Sequence, residues 1–491
     1  MRVQDTDEQK NKTGERFMEK PSTITAINPD ANSMTFGGTY LQRAVGSCVY
    51  VFEQIMPDPF VLVILLTVIT AAAAYLLAPL GTPAHILIGW YAGITNIFTF
   101  AFQMILILVT GYALANARPI KRGLHKVCTL ATGPRSALAV VFVGGCIATF
   151  LNWGFGLVVG AMLSKEVAKR VRVDFAWLVA ASYSAWVLWT FTGMSSSIAL
   201  SIATRGSPLN FIEKETHAVI PLAQTVFAPW VFVPGLIAMF CLPLMYLAIR
   251  PTDGAAIPID PAALAEDNVE QEAVERRDTF AAKLERSPLC TLVFVAAGVG
   301  YLFLQWSSHG IALDINTVIF IFLIAGLLFH GSAGAYVRAI SSAAKVTGQM
   351  MLQYPFYGGI MGIMSATGLA KVISTAFVHL ASKWTLPFWS YAGSLIITLF
   401  IPSGGGHWAV QGPFTIPAAL RLHASMAATS MGVASGELAS SLLQPFWAIP
   451  LVAIAGVGVR RVLGFTFASF LFLSVFFGAV YLLVAPAFAP Y

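Results

Sequence analysis

The sequence predicts an all-α polytopic membrane protein built as an inverted repeat with two opposed re-entrant hairpins and two broken helices. Three observations lead to this fold class: the composition, two glycine-rich tips inside apolar segments, and a plan that recurs in both halves of the chain. Of 491 residues, 57% are hydrophobic and only 11% are charged, whereas soluble globular proteins carry about 25% charged residues. Such a chain is expected to cross a bilayer several times.

Charge and cysteine content argue against several other classes. The net charge of +6 is accounted for by basic residues beside membrane spans, so it does not predict a nucleic-acid partner. The five cysteines are scattered without a C-x-x-C pair. The sequence therefore supports neither a cysteine metal site nor a disulfide framework.

Polar segments divide the chain into two halves. Residues 1–38 are polar and mixed in charge, which predicts a disordered cytoplasmic tail. The first repeat half is predicted at 39–249, a cytoplasmic linker at 250–287, and the second repeat half at 288–491. Within the first half, a surface segment is predicted at 83–95, between the first two spans.

The clearest interruption of an apolar segment lies in the hairpin predicted at about 386–422. An apolar run there ends in P-S-G-G-G-H-W (402–408), and Gln411, Pro413 and Pro417 follow. Glycine and proline cannot continue a lipid-exposed helix, so this backbone must be buried in protein or line a wet cavity. We expect a hairpin whose glycine tip offers backbone N–H groups to an anion. A plain turn between two spans is the alternative.

The first half carries a matching hairpin, predicted at about 135–170. Its tip is N-W-G-F-G (152–156), and basic residues stand at both of its ends. A single crossing would put positive charge on both sides of the membrane, whereas a hairpin entering and leaving from the cytoplasm keeps it inside. The order of spans then places the second hairpin on the opposite side, so that the two tips meet near the midplane.

Each tip is followed by a span that contains glycine and serine. The first has Gly193 with Ser195 to Ser197, and the second has Gly436 with Ser440 and Ser441. We interpret both clusters as helix breaks, with close helix packing as the alternative.

At these tips the chain resembles the bacterial short-chain fatty acid transporter family, which takes up acetoacetate- and butyrate-like acids. The matching stretches are N-W-G-F-G-L-V-V-G-A-M (152–162), P-S-G-G-G-H-W (402–408) with Q-G-P (411–413), and Q-P-F-W-A-I-P (444–450). The resemblance implies an elevator-type ion-transporter fold, in which a domain holding both hairpins slides against a scaffold. Where family members have a glycine run before the first serine cluster, this chain has Trp189-Thr190-Phe191-Thr192.

Candidate substrate ligands lie at the tips and at the first break. Backbone N–H groups at helix N-termini carry partial positive charge, so they stabilise a carboxylate without a cationic side chain. The predicted substrate-binding residues are Asn152, Gly154, Gly156, Thr192, Ser195, Ser196, Ser403, Gly404, Gly405, Gly406, His407 and Gln411. A packing role is the alternative for His407.

Glu437 is the principal charged candidate for binding a coupling ion. An acid within a span is expensive, so it usually faces a cavity or a partner. We expect Glu437, Ser197, Ser440 and Ser441 to hold a coupling proton or sodium ion, with a structural hydrogen bond as the alternative role of Glu437. No other cofactor or metal is expected.

The resulting hypothesis is a secondary active transporter, not an enzyme, in the bacterial inner membrane. It would move butyrate- or acetoacetate-like monocarboxylates by alternating access together with a proton or a sodium ion, with the lipid bilayer as its surroundings and a homodimer left open. The alternatives are transport of other carboxylates such as dicarboxylates, a membrane-embedded enzyme, and an anion channel. Ser403 with His407 lacks a third orienting group, which argues against a hydrolase.

Overall fold

The computed structural model describes residues 57–251, 256–259, 279–444, 447–448, 451–452 and 457–489, without the side chain of Arg460. The predicted tail at 1–38 lies outside the described residues, together with positions 39–56 and with positions 252–255 and 260–278 of the predicted linker. All regular secondary structure in the described part is helical, which confirms the all-α class. Six of the described helices are long and apolar enough to cross a membrane, or seven if one bent pair counts as a span.

The described helices of the first half alternate long apolar segments with short surface and break segments. They are α1 (Pro59–Leu77), α2 (Pro83–Asn96), α3 (Phe98–Ala115), α4 (Arg118–Cys128), α5 (Pro134–Leu151), α6 (Trp153–Ala168), α7 (Phe175–Thr190), α8 (Ser197–Ala203), α9 (Phe211–Thr216) and α10 (Pro229–Ala248). Helices α2 and α3 together form an apolar stretch of 33 residues. The segment predicted at the surface, 83–95, is therefore part of the helical bundle.

The second half repeats this order after a short helix and one additional span. Its described helices are α11 (Phe280–Arg286), α12 (Pro288–His309), α13 (Ile315–His330), α14 (Ala333–Ala344), α15 (Gly348–Thr367), α16 (Leu369–Leu380), α17 (Leu386–Ile397), α18 (Gly404–Leu422), α19 (Met426–Ser441), α20 (Val459–Ala479) and α21 (Ala485–Phe488). A π-helical turn joins α20 to α21. Helix α16 leaves α15 at an angle of 81°.

Two helical hairpins, α5–α6 and α17–α18, occupy corresponding places in the halves. In the first, Gly144 faces Leu163 and Gly156 faces Thr149, so the two arms run antiparallel. In the second, Gln411 Nε2 donates to Ser390 O over 2.8 Å across the same kind of antiparallel pair. The residue between α5 and α6 is Asn152 alone, whereas 398–403 connect α17 to α18.

The helix contacts repeat between the halves as well. Helix α3 packs on α6 and α13, while its counterpart α15 packs on α18 and α1. Helix α5 packs on α7, and α17 packs in the same way on α19. This correspondence of order and contacts is what an internal repeat predicts.

The second cluster of glycine and serine is not a helix break, and that prediction was wrong. Helix α19 runs without interruption from Met426 to Ser441 and contains the whole cluster. Gly436 lies against the backbone of Tyr391 and the side chain of Ser394 on α17. The small residues there allow close helix packing, and the chain leaves the helix only after Ser441.

The basic stretches of the first half lie together with the start of the last span. His125 Nδ1 of α4 lies 3.4 Å from Glu166 at the end of the first hairpin. Asp174 at the start of α7 pairs with Arg461 of α20. These ends therefore share one side of the molecule, as positively charged loops on the cytoplasmic side would.

A close crossing of two helices joins the halves. Gly93 of α2 lies directly against the backbone of Gly358 on α15, and Gly89 lies in the same way against Gly362. On each helix the two glycines are four residues apart, which is the G-x-x-x-G spacing that brings helix backbones into contact in membranes. Any Cβ at these positions would collide with a backbone carbonyl, which cannot rotate out of the way as a side chain could.

Replacing Gly93 with alanine is expected to destabilise this crossing. The added methyl overpacks a backbone contact, a change that typically costs about 1–3 kcal/mol. The thermal midpoint of the purified protein in detergent should fall for Gly93→Ala. Gly123→Ala is the matched control, because no atom lies within 4 Å of a Cβ at that position. Equal midpoints for the two variants would contradict the tight crossing.

Candidate functional site

Both hairpin tips, the break between α7 and α8, and Trp447 beyond the end of α19 meet at one small cavity. Its lining residues are Met104, Trp153, Thr190, Phe191, Ser197, Met350, Tyr354, Ser403, Gly404 and Trp447. Its volume is about 20 Å³, roughly the space that a single water molecule needs. An organic anion can therefore enter only after lining side chains move.

Tryptophans join the two tips beside this cavity. Trp447 Nε1 donates to Pro402 O of the second tip over 2.7 Å. The same indole lies 5.5 Å, centroid to centroid, from the ring of Trp153 at the first tip. Trp186 of α7 donates to Trp153 O over 2.7 Å. The tips are thereby held against each other and against the helix that precedes the first break.

The first tip satisfies its own helix N-terminus. Asn152 Oδ1 accepts from Phe155 N at 2.9 Å, and Asn152 Nδ2 donates to Ile107 O of α3 at 3.2 Å. Ser195 Oγ of the break accepts from Trp153 N at 2.8 Å. The side chains of Asn152 and Ser195, both predicted to bind substrate, therefore anchor the hairpin.

The glycines of the first tip serve close packing. Gly154 lies against the backbone of Leu108, and Gly156 lies against Thr149. Neither glycine lines the cavity. Their small size lets α6 approach its neighbours, which is a positioning role.

The second tip leaves its helix N-terminus open. Ser403 does not cap α18, and its hydroxyl donates instead to Tyr354 Oη over 3.2 Å. The N–H groups of Gly404, Gly405 and Gly406 donate to no residue in the described part of the chain. These orphan donors point along the helix axis towards the tip and carry partial positive charge.

Only the first of the three glycines borders the cavity. Gly404 faces Ser197 Oγ and the ring of Phe191 across the site. Gly405 packs on the ring of Phe100, and Gly406 on the ring of Tyr357. The side-chain space that is open to a ligand at this tip therefore lies at position 404.

His407 and Gln411 lie between the arms of the second hairpin and are both fully buried. His407 Nε2 is 2.6 Å from Gln411 Oε1 and 3.1 Å from Ser394 Oγ, while Nδ1 is 3.2 Å from Thr398 Oγ1. Gln411 also bonds to the opposite arm. The arrangement gives both residues partners within the hairpin, and neither lines the cavity.

Among the hydroxyl candidates, Ser197 and Ser403 border the cavity. Thr192 donates to Leu188 O over 2.7 Å, and Ser196 caps α8 by accepting from Ala199 N. Ser440 Oγ donates to Leu395 O over 2.9 Å. These bonds hold helix ends and hairpin arms in place.

A set of buried oxygen atoms without partners lies on α19 and its C-terminal end. Both carboxylate oxygens of Glu437, Ser441 Oγ and Gln444 Oε1 are buried and receive no hydrogen bond from the described part of the protein. The spacing of four residues puts Glu437 and Ser441 on one face of α19, and Gln444 lies three residues beyond the end of that helix. Glu437 lies within electrostatic reach of Tyr354 and Tyr357 of α15.

Sequence reasoning missed several of these residues. Tyr354, Met104 and Met350 line the cavity, and Gln444 belongs to the oxygen set. Met104 and Met350 occupy corresponding positions after a glutamine in the two halves, so the repeat itself could have indicated them. Tyr354 and Gln444 have no such signal.

The whole chain can be compared with known proteins. The family model described as "Short chain fatty acid transporter" matches residues 40–484. A protein of Escherichia coli (strain K12) named "Putative short-chain fatty acid transporter" is 39% identical over 423 residues, which are 86% of this chain and 95% of the relative. A protein of Haemophilus influenzae (strain ATCC 51907 / DSM 11121 / KW20 / Rd) with the same name is 38% identical over 429 residues, covering 87% and 96%.

The fold also has a solved counterpart, the YdaH transporter of Alcanivorax borkumensis, whose topology is described as unusual. That structure aligns with a TM-score of 0.58 at 13% identity, over 88% of this chain and 99% of the other. At this identity the likeness shows the fold alone. The family match extends over nearly the whole chain, and from it we conclude that this membrane protein is a transporter, not an enzyme, and belongs to the short-chain fatty acid transporter family.

Proposed function

We propose that this chain is a secondary active transporter that carries short-chain monocarboxylates of the butyrate and acetoacetate type through the central cavity. The observation that carries the proposal is the convergence of both hairpin tips and the break between α7 and α8 on that cavity. Opposed tips at one site are the arrangement by which inverted-repeat transporters expose a fixed site to either side in turn. We place the protein in the bacterial inner membrane.

The open N-terminus of α18 is the proposed carboxylate subsite. Three backbone N–H groups without partners in the described chain, at positions 404–406, can donate to carboxylate oxygens. The Ser197 hydroxyl faces Gly404 from the other side of the cavity. At the first tip two of the three corresponding donors, Trp153 N and Phe155 N, already bond to Ser195 and Asn152. In this proposal the first tip closes the site and the second binds the charge.

The apolar part of the site suits a short alkyl chain. Met104 and Met350 approach from the two repeats, and Phe191 forms another part of the wall. Methionine side chains are unbranched and adaptable, so they can move aside for a small guest and pack around it. A second carboxylate on the substrate would need a polar partner, which Met104, Met350 and Phe191 do not offer. A monocarboxylate is therefore favoured over a dicarboxylate.

A cation bound by Glu437 is the proposed coupling ion. Glu437, Ser441 and Gln444 together offer carboxylate, hydroxyl and amide oxygens, the ligand types that hard metal cations prefer. A buried carboxylate without a partner is strongly unfavourable, and either a proton or a metal cation would relieve it. Because oxygen atoms of three residues rather than of one lack partners, we favour a sodium ion over a proton.

Tyr354 connects the two subsites. Its hydroxyl accepts from Ser403 at the anion tip, its ring packs on Gly405, and it lies within electrostatic reach of Glu437. A cation near Glu437 would therefore act on the same tyrosine that supports the tip. This contact supplies a physical route by which occupancy of one subsite changes the other.

Filling the space at position 404 is expected to abolish transport while the protein still folds. In Gly404→Val the branched side chain would meet Ser197 Oγ and the Phe191 ring and take the place of the substrate. Uptake of labelled butyrate into proteoliposomes should fall by at least about a hundredfold, as expected when reacting or binding groups are displaced by about 1 Å. Gly300→Val is the control, because nothing lies within 4 Å of that position. Uptake by Gly404→Val at the control level would rule out this subsite.

Removing the charge of Glu437 is expected to separate accumulation from exchange. Glu437→Gln keeps the shape of the side chain, but its neutral amide does not take up a proton and has no negative charge to attract a cation. Gradient-driven accumulation should disappear, whereas exchange of internal for external butyrate should persist, because exchange does not require release of the coupling ion. Glu166→Gln, at a surface glutamate paired with Lys169, is the matched control. Accumulation by Glu437→Gln at the wild-type level would show that coupling lies elsewhere.

Two adjacent serines test the identity of the ion. Ser441→Ala deletes an oxygen without a hydrogen-bond partner, whereas Ser440→Ala deletes one that already donates to Leu395 O. The sodium concentration for half-maximal uptake should rise at least about tenfold for Ser441→Ala, a loss typical of altered metal sites, and change little for Ser440→Ala. If uptake by the wild type and by both variants follows a proton gradient and does not depend on sodium, sodium coupling is contradicted.

A further inference from the structure

A second and much larger cavity lies apart from the central site. It measures about 1070 Å³ and is formed where the start of α4, the end of α11 and the turn between α13 and α14 meet. It shares no lining residue with the central cavity. Helix α4 also carries His125, which contacts the base of the first hairpin, so the cavity belongs to the basic side of the molecule.

Four arginines from three separate segments converge on this cavity: Arg118, Arg122, Arg286 and Arg338. All four are exposed. None of them forms an ion pair or a hydrogen bond with a residue that the structure describes. Glu285 lies beside this group, and its carboxylate pairs with none of the four. The four positive charges are therefore not neutralised by the described part of the protein.

Membrane topology alone does not require this arrangement. The tendency of basic residues to stay on the cytoplasmic side depends on their number near span ends and not on their convergence in a concave space. Like charges that share a cavity repel one another, and low-dielectric walls strengthen their combined field. An anion in the cavity would remove that repulsion.

The chemistry of the arginines identifies the class of anion. A planar guanidinium presents paired N–H donors that match the oxygens of a phosphate, and it is more weakly hydrated than an ammonium group. Four such groups exceed what a single carboxylate needs. The volume also exceeds that of a short-chain acid and lies at the upper end of the range for small-molecule sites.

Part of the wall is apolar. Phe329 at the end of α13 lies in the cavity and is 40% exposed, and Pro119 and Ala339 lie nearby on the lining. Basic clusters beside membrane helices with an apolar flank suit phosphate-bearing headgroups, whose acyl chains continue into the bilayer. A soluble phosphate compound with more than one negative charge offers the same contacts to the arginines.

We propose that this cavity is a binding site for a phosphate polyanion, held by Arg118, Arg122, Arg286 and Arg338, and separate from the substrate pathway. The shared chemistry of its ligand is a pair of phosphates, or one phosphate with two charges, within reach of guanidinium groups from α4, α11 and α14. The ligand is either the headgroup of an anionic phospholipid or a soluble phosphate. Binding ties the α13–α14 turn to α4 across the cavity.

The test measures ligand-dependent thermal stabilisation of the purified full chain in neutral detergent. One arm titrates cardiolipin, with phosphatidylcholine as the uncharged comparison, and the other titrates inorganic pyrophosphate. The cavity variant is Arg118→Gln/Arg122→Gln/Arg338→Gln. The matched control, Lys126→Gln/Arg135→Gln/Lys345→Gln, removes the same charge from residues that do not line the cavity. The midpoint of each variant without ligand is measured first, and we expect no decrease for the cavity variant because repulsion is relieved.

We expect the apparent affinity for the polyanion to fall by at least about tenfold in the cavity variant, and by less than about twofold in the control. Stabilisation by cardiolipin alone identifies a lipid headgroup, and stabilisation by pyrophosphate identifies a soluble ligand; either supports the site. Equal losses in the two triple variants would show only general attraction to positive charge and would overturn the proposal. Displacement of the polyanion by butyrate would overturn it as well, because the cavity would then belong to the substrate pathway. Stabilisation by neither probe would also refute it.

Discussion

Hydrogen bonds that cross between interrupted segments hold the centre of this transporter together. In an apolar interior each unsatisfied backbone group costs several kcal/mol, and the chain is interrupted at both tips, between α7 and α8, and after the end of α19. At the first pair, Met194 N donates to Phe150 O over 2.9 Å while Ser195 Oγ accepts from the tip. At the second, Trp447 and Gln444 donate to carbonyls of Pro402 and Thr398. Each interruption therefore depends on its partner, and a break without its hairpin would leave buried groups unpaired.

The two halves share a plan and still differ in what their tips offer. The side chain of Asn152 caps α6, whereas Ser403 turns to Tyr354 and leaves α18 uncapped. The polar residues behind the tips differ too: in the second hairpin His407 and Gln411 bond to each other and to the opposite arm. An inverted repeat constrains the backbone because both halves must pack around the same axis, but it places no such constraint on the side chains. One site with one charged end can arise from this division: one tip closes the site and the other presents donors.

Much of the fold could be predicted from the sequence, because glycine, proline and flanking charge act locally. The hairpin tips, the breaks near Gly193 and the burial of Glu437 follow from the requirement to satisfy or neutralise polar groups at membrane depth. The roles of individual polar residues could not be predicted in the same way. Whether Asn152 binds a substrate or caps a helix depends on Ile107 O lying within 3.2 Å, and nothing in the local sequence reports that. The glycines at 89 and 93 likewise look like loop residues until α15 is placed against them.

Glu437 lies within electrostatic reach of Tyr354, which supports the open tip, and this gives the proposed coupling a physical reason. A carboxylate bound at the N-terminus of α18 would add a second negative charge to that of Glu437, in a buried region where charges are weakly screened. Without a cation the two carboxylates would repel each other. A cation bound between or beside them would attract both. By thermodynamic reciprocity, whatever factor the cation contributes to substrate affinity the substrate contributes to cation affinity. In the proposed arrangement coupling needs no long-range rearrangement. Tyr354 accepts from Ser403 at the open tip and packs on Gly405, and the same tyrosine lies within electrostatic reach of Glu437.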